Sequence, residues 1–483
     1  RLPGGDKSPV YALKSELDLW LQTKPEKEHE PASVAVLPFV NLTADKENEF
    51  FGDGLADEII NALTRIPALR VIARTSSFAF RAKEQDAREI GTRLGAVALL
   101  EGSVRRQHNR VRVSAQLVSA ENGYHLWSES YDRELSDIFA IQDELARSIA
   151  QALQIELAPG PLVERMTEDL EAYNLWLKGR YLGVQFTPES VAAARQCFDA
   201  AIARDPSFPL PYVDVAELLF LGARFLLLPA ADARCAKQAV LKALALNDCL
   251  GEAWALLGTL EGILEYDWIA AKRAFDRASK LSPGSCMVLA RHAWYFLVPK
   301  LRIAEAVEEL QRAIILDPLS PFPHTIFGLT LIVAREYESA AEECRAAVGL
   351  APSLWWPHWM LATALMFLGS ADDAIAEARL AAKIHGMPGS EAGMCAIYGL
   401  LGRADEARRC FEQVIDLSHT TSIPALGMAW ACLGVGDDRV FEWLDKAIDA
   451  RDPAVTHLAS MPLYDRIRGD PRFRTLLEKM NLA

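Results

Sequence analysis

The chain has 483 residues, of which 51% are hydrophobic and 24% charged, and its formal net charge is −14. This composition excludes a disordered chain, and the acidic excess excludes an electrostatic nucleic-acid binder over most of its length. No apolar run is long enough to span a membrane: the best, Val213 to Leu228, is broken by Asp214, Glu217 and Arg224. The eight cysteines, Cys197, Cys235, Cys249, Cys286, Cys344, Cys395, Cys410 and Cys432, contain no C-x-x-C pair. Several fall on apolar helical faces, which points to free thiols in a reducing, cytoplasmic compartment and not to a disulfide framework.

Residues 1–21 read RLPGGDKSPVYALKSELDLWL. A strand, a Gly-Gly turn and a second strand (Val10 to Leu13) form a hairpin, and Ser15 then caps a helix with Glu16 and Asp18 in its first turn. This pattern resembles the wing and last helix of excisionase-like or MerR-like winged-helix domains. The resemblance implies DNA contact only through a recognition helix lying before Arg1, so DNA is a partner only through a module mostly absent from these residues. Residues 22–32 form a polar linker rich in Lys, Glu and Pro, too short and too polar for a membrane span.

The next unit covers 33–157. Its pattern predicts a buried strand over Ser33 to Asn41, a helix over Phe50 to Arg65, a strand over Leu69 to Arg74 and a helix over Asp86 to Leu94. Strands then follow over Val97 to Arg105, Arg110 to Val118 and Tyr124 to Tyr131, separated by turn-forming residues, with a last helix over Ile138 to Leu157. In the middle strand Val111, Val113, Ala115 and Leu117 alternate with polar residues, the mark of a half-buried strand. The order βαβαβββα makes a small α/β sandwich. The segments VAVLPFVNLTADKENEFFGDGLADEI, LRVIARTSS and LEGSVRRQHNRVRVSAQLVSAENGYHLWSESYD resemble the TolB-type amino-terminal domain of bacterial regulators. That resemblance implies a role in sensing or contacting other components and supplies no catalytic residue.

From residue 171 the chain is periodic. Helix-ending stops fall at Pro206, Asp248, Pro283, Pro318, Pro352, Gly386, His419 and Pro453, 33–35 residues apart after a first interval of 42. Twelve residues before each stop stand Ala194, Ala236, Ala271, Ala306, Ala340, Ala374, Ala407 and Phe441. Five before stand Ala201, Ala243, Ala278, Ala313, Ala347, Ala381, Val414 and Ile448. Small residues at these spacings let the second helix of a hairpin lie close to its first, while the bulkier residues eight before the stop, such as Phe198 and Phe275, fill the gap between repeats. Period, small residues and stops together resemble the tetratricopeptide family, implying eight repeats over 171–453. The tail, 454–483, is read as a polar connection and a capping helix from Arg472 to Met480. The fold class is therefore α+β: a small α/β sandwich followed by an all-α tetratricopeptide superhelical solenoid.

No catalytic signature is present: no G-x-S-x-G elbow, P-loop, H-E-x-x-H or zinc-spaced Cys/His cluster. No cofactor or metal is expected, and the chain reads as a binding protein and not an enzyme. His324 and His358 take equivalent packing positions in consecutive repeats and read as structural. In the α/β unit, Asp53 and Asp57 at the start of the first helix, with Arg74 and Ser76 after the second strand, form a candidate ligand site; the competing reading is carboxylates placed at a positive helix end. In the repeats, the family register puts Phe322, Leu329, Val333, Trp356, Trp359 and Phe367 on the concave face, where exposed aromatics would anchor a protein or peptide; the competing reading is packing between helices. The acidic balance favours a basic segment as that partner. The sequence thus reads as a bacterial regulatory or scaffolding protein that binds a partner through its repeats. The alternatives are a pure scaffold without DNA binding, or the regulatory half of a kinase- or cyclase-type enzyme whose catalytic domain lies upstream.

Overall fold

The computed structural model describes residues 32–43, 49–81, 86–107, 109–157, 162–184, 187–224, 232–386 and 390–483. The hairpin and helix expected over residues 1–21, and nearly all of the linker, lie outside the described residues.

The first unit is one sheet with helices on both faces. Its strands are β1 (Ser33–Val36), β2 (Val40–Asn41), β3 (Arg70–Val71), β4 (Ala98–Gln107), β5 (Arg110–Ser119) and β6 (His125–Glu134). They lie in the order β3-β1-β4-β5-β6, with β2 also on β4. β1 pairs in parallel with β3 and β4, and the β4-β5-β6 ribbon is antiparallel. Val34, Val36, Ala98 and Leu100 point to one face, with Val111 and Val113, and bury against helices α1 (Glu49–Leu63) and α4 (Ile138–Ala152). Ala35, Leu37 and Leu99 point to the other and bury against Ile90 and Leu94 of α3 (Ala87–Leu94). The period of two therefore sorts one strand's residues into two separate cores.

Three sequence boundaries shift for local reasons. The first expected strand divides at Leu37-Pro38-Phe39, where proline has no N–H for the ladder. The second shrinks to Arg70–Val71, because Arg74 already opens the short helix α2 (Arg74–Phe78). The last helix stops at Ala152, since Gln154 takes a left-handed φ of 58°.

Among the described residues, the second unit is eight helical hairpins with a tetratricopeptide-like period. They are α5 (Leu170–Gly183) with α6 (Pro188–Arg204), α7 (Leu210–Arg224) with α8 (Asp232–Leu246), α9 (Gly251–Leu260) with α10 (Trp268–Leu281), and α11 (Cys286–His292) with α12 (Ile303–Leu316). Then come α13 (Pro321–Ala334) with α14 (Tyr337–Leu350), α15 (Trp355–Leu368) with α16 (Ala371–His385), α17 (Ala392–Leu400) with α18 (Ala404–Ser418), and α19 (Ala425–Val435) with α20 (Val440–Asp449). The alanines of the repeat pattern are buried throughout. The bulky residue of the pattern works inside its own hairpin: a Cβ on Gly179 would lie 2.4 Å from Phe198, and one on Gly258 2.8 Å from Phe275. Glycine at these two positions is what admits the ring.

Consecutive first helices pack on one another from α9 to α19, and consecutive second helices scarcely touch, so the array curves with its first helices inward. Two histidines fix neighbouring hairpins in the same way. His324 bonds Glu343 at 2.7 Å and the Pro318 carbonyl at 3.0 Å, and His358 repeats the pattern with Glu377 and Pro352 at the same distances. Each ring thus ties a first helix to its own second helix and to the stop of the hairpin before it.

The tail differs from the polar connection expected. Val455, Thr456 and Leu458 are fully buried in short helical turns, which lead to α21 (Pro471–Lys479). The segment caps α20 and also crosses the array to the third hairpin. Trp268 Nε1 donates to the Met480 carbonyl at 2.8 Å, Tyr266 Oη to the Ile448 carbonyl at 3.1 Å, and Asn481 Nδ2 to the Tyr266 carbonyl at 3.1 Å. His457 sits edge-on to Trp294 of the fourth hairpin, and Arg466 donates to the Gly399 carbonyl of the seventh at 3.1 Å. The last segment therefore closes hairpins three to eight into a ring.

Candidate functional site

The structure brings Asp53, Asp57 and Arg74 together at the junction between the two units and spends Ser76 on a separate contact there. Asp53 and Asp57 lie one helical turn apart on α1, so both carboxylates face the same way. Asp53 pairs with Arg81, while Asp57 is held by Arg180 of α5 at 2.8 Å and by Arg74 at 3.5 Å. Ser76 reaches the fourth hairpin: its N–H and Oγ donate to Asp317 at 3.0 and 2.6 Å, and its Oγ accepts from the Leu319 N–H at 2.8 Å. The neighbouring Ala73 N–H donates to the Leu316 carbonyl at 2.7 Å. Most polar groups here are thus spent within the α/β unit and on the solenoid, while Asp53 Oδ1 and Arg74 Nε are buried without a hydrogen bond.

The α/β unit lies against the inner face of the first hairpins. Tyr173 and Trp176 of α5 are buried, Tyr173 accepting a 2.9 Å bond from Gln142 and Trp176 donating to Asp214 of α7 at 2.6 Å. Leu177 fills the space beside Gly54, where a Cβ would come within 2.5 Å of it. Arg180 gathers Asp57, Glu58 at 3.6 Å and Asp214 at 4.0 Å. Farther along, the buried Arg291 pairs with Glu217 at 2.6 Å. Burial drives the proton affinities here. It pushes the Glu58 carboxyl up to about 7 and Asp214 up to about 6 against the pull of Arg180. Burial also raises Asp53 and Asp317 and lowers Arg74. Burial would lower Arg180 as well, but the carboxylates of Asp57, Asp214 and Glu58 outweigh it and raise it.

The inner face beyond the fourth hairpin holds the aromatic residues. Leu329 and Val333 are 6% and 9% exposed and belong to the interior, so they offer a partner little surface. Phe322, Trp356, Trp359 and Phe367 are half-buried, each with one side against the core. Phe322 and Trp356 lie 6.0 Å apart on successive first helices, and Phe367 stacks on Tyr337 at 5.1 Å. Trp359 is wedged onto α17: a Cβ on Gly393 would be 2.3 Å from its ring. Phe322 and Trp356 therefore make the most continuous aromatic row, and Trp359 doubles as an inter-hairpin spacer.

Sequence reasoning missed three features. The Ser76–Asp317 contact joins residues 241 apart, and no local pattern announces it. The ring closure had a signal: the third hairpin's turn carries Tyr266-Asp267-Trp268, where the turns of the sixth and seventh carry Gly with a small or charged residue. A cavity of about 650 Å³ also lies at the carboxyl end of β1, lined by Phe39, Glu101, Ser103, Ser114 and Gln116. It was hidden because its lining comes from six separate stretches, 37–41, 49, 80–81, 101–103, 114–116 and 128.

No family model matches this chain. A Rhizobium meliloti (strain 1021) protein provisionally named adenylate cyclase 3 is 38% identical to it over 212 residues, 43% of this chain and 36% of that one. The chain thus spans about a third of that relative's length. A tetratricopeptide repeat protein from Parabacteroides merdae ATCC 43184 shares 14% identity over 65% of this chain and all of its own, with a TM-score of 0.35. Pseudomonas aeruginosa PilF shares 18% over 47% of this chain and 96% of its own, with a TM-score of 0.35. The human IFIT1 dimer with m7Gppp-AAAA shares 18% over 68% of this chain and 76% of its own, with a TM-score of 0.46. The superpositions are loose, and the solenoid assignment rests on the chain's own helix pairs and their period.

Proposed function

We propose that the chain is the partner-binding, non-catalytic arm of a bacterial regulatory protein, in which the solenoid takes a protein or peptide segment along its inner face. The observation that carries this reading is the half-buried row of Phe322 and Trp356 on a curved face whose other parts are filled from within. The α/β unit covers the inner face at the first hairpins, and the tail crosses hairpins three to eight. Aromatic rings with one face packed and the other turned outward are the usual anchors of such interfaces. In this reading the α/β unit is a TolB-type domain that holds the first half of the solenoid in one geometry. The test is selection of peptides from a displayed random library on the full chain, followed by titration. Peptides that bind saturably and lose affinity with Phe322→Ala support the reading, and a selection that enriches nothing counts against it.

A second reading rests on the 38% identity to the cyclase-named protein. In it, the arm belongs to a signalling enzyme of cyclase type and modulates a catalytic domain elsewhere in the protein. Cyclic-nucleotide formation by the full gene product that responds to a peptide bound on the arm supports this reading. Formation that ignores such a peptide removes it.

A further inference from the structure

The seventh hairpin holds two thiols in direct contact. Cys395 of α17 and Cys410 of α18 place their Sγ atoms 2.7 Å apart, within about 0.7 Å of a disulfide bond's ~2.05 Å length. The fifteen-residue spacing puts them on the facing sides of the two helices. Cys395 is wholly buried and Cys410 is 7% exposed. Cys410 also lines a cavity of about 480 Å³ with Arg379, Lys383, Arg409, Glu391 and Glu406. One sulfur of the pair thus meets an opening, and the other stands directly behind it.

We propose that Cys410 and Cys395 form a peroxide-reactive pair, with Cys410 as the attacking thiol and Cys395 as the resolving one. The thiol of Cys395 donates to Cys410, which lowers the proton affinity of Cys410 against the opposing effects of burial and the nearby Glu391, whose carbonyl Cys410 also meets at 3.4 Å, while the same bond and burial raise the proton affinity of Cys395.

The chemistry balances with a hydroperoxide as the oxidant. The Cys410 thiolate attacks one peroxide oxygen, the O–O bond breaks, and the departing hydroxide takes a proton to leave as water. Cys410 is then a sulfenic acid. The Cys395 sulfur attacks the Cys410 sulfur, the S–O bond breaks, and the second hydroxide leaves with the Cys395 proton as water. Two thiols are oxidised to one disulfide, and one hydrogen peroxide is reduced to two waters. The new bond would tie α17, which carries Gly393 under Trp359 and the carbonyl that Arg466 holds, to its partner helix.

The experiment treats the folded full chain with hydrogen peroxide, quenches, unfolds and alkylates it, and maps the tryptic peptides by mass. Arg403, Arg408 and Arg409 separate the two cysteines, so a bond appears as a cross-linked peptide pair. The expected result is a Cys395–Cys410 pair formed at peroxide levels that leave the exposed Cys235 and Cys249 alkylatable. With Cys395→Ser, Cys410 should instead stop as a sulfenic acid that dimedone traps. The proposal is overturned if both thiols alkylate fully after Cys235 and Cys249 have oxidised. Pairing of Cys410 with Cys432 in place of Cys395, or oxidation of Cys410 to a sulfinic acid with Cys395 present, overturns it equally.

Discussion

Replacing Asp317 by alanine tests how the two units are joined. Asp317 is only 6% exposed, and it accepts both the N–H and the Oγ of Ser76, which is itself fully buried. Its removal leaves two donors on α2 without an acceptor, and each orphaned buried donor costs about 1–3 kcal/mol. Removing the desolvated carboxylate returns part of this, so the net loss should be about 2–4 kcal/mol. Urea unfolding followed by circular dichroism and tryptophan fluorescence reads it, and the α/β unit should unfold ahead of the solenoid. Asp317→Asn keeps an acceptor oxygen and should cost less than about 1 kcal/mol. The pH dependence follows in sign. Burial raises the folded pKa of Asp317, so its ionised form costs stability, and that cost fades as pH falls through the folded value toward the ordinary one. The asparagine variant should lose this dependence. An alanine variant within about 0.5 kcal/mol of the parent would refute the reasoning, because that is the scale of surface substitutions.

Three further outcomes follow from the packing. Glu58 has its pKa raised to about 7 from an ordinary 4.5, so it makes the fold less stable as pH rises between these values; Glu58→Gln should flatten melting temperature against pH in that window. Gly434→Ala would place a Cβ 2.0 Å from the Cys395 carbonyl, where α17 and α19 meet backbone to backbone, and it should lower the melting temperature of the last hairpins; an unchanged melt would contradict the contact. Trp268→Phe removes the donor to Met480 and should cost about 1 kcal/mol, with faster amide exchange over 471–482 as the readout.

The solenoid was legible because each repeat signals locally. Ala271 and Ala278 lie on one face of one helix, and the Pro283 stop follows at a fixed distance, so a single stretch of sequence contains its own reason. The antiparallel ribbon was legible for the same reason, with Val111 to Leu117 alternating along one strand. What escaped depends on contacts between distant segments. Asp53, Asp57 and Arg74 could be grouped from sequence, but only folding shows that Arg81 and Arg180 meet the two carboxylates. Trp359 and Trp356 look alike in sequence, and they divide only because Gly393, 34 residues beyond Trp359, leaves room for one ring. The tail reads as polar from its Thr, Asp and Arg residues, yet it is buried because the curve of the array brings Tyr266 and Trp268 back to it.

The most direct test of the central claim is calorimetric titration of a library-selected peptide into the parent chain and into Phe322→Ala/Trp356→Ala, with melting curves of both. The account predicts that the variant melts cooperatively, as the parent does, and binds at least about thirtyfold more weakly, the loss expected for a hot spot worth 2 kcal/mol or more. A variant that binds as tightly as the parent would contradict the account, and a variant that no longer melts cooperatively would show the two rings to be core.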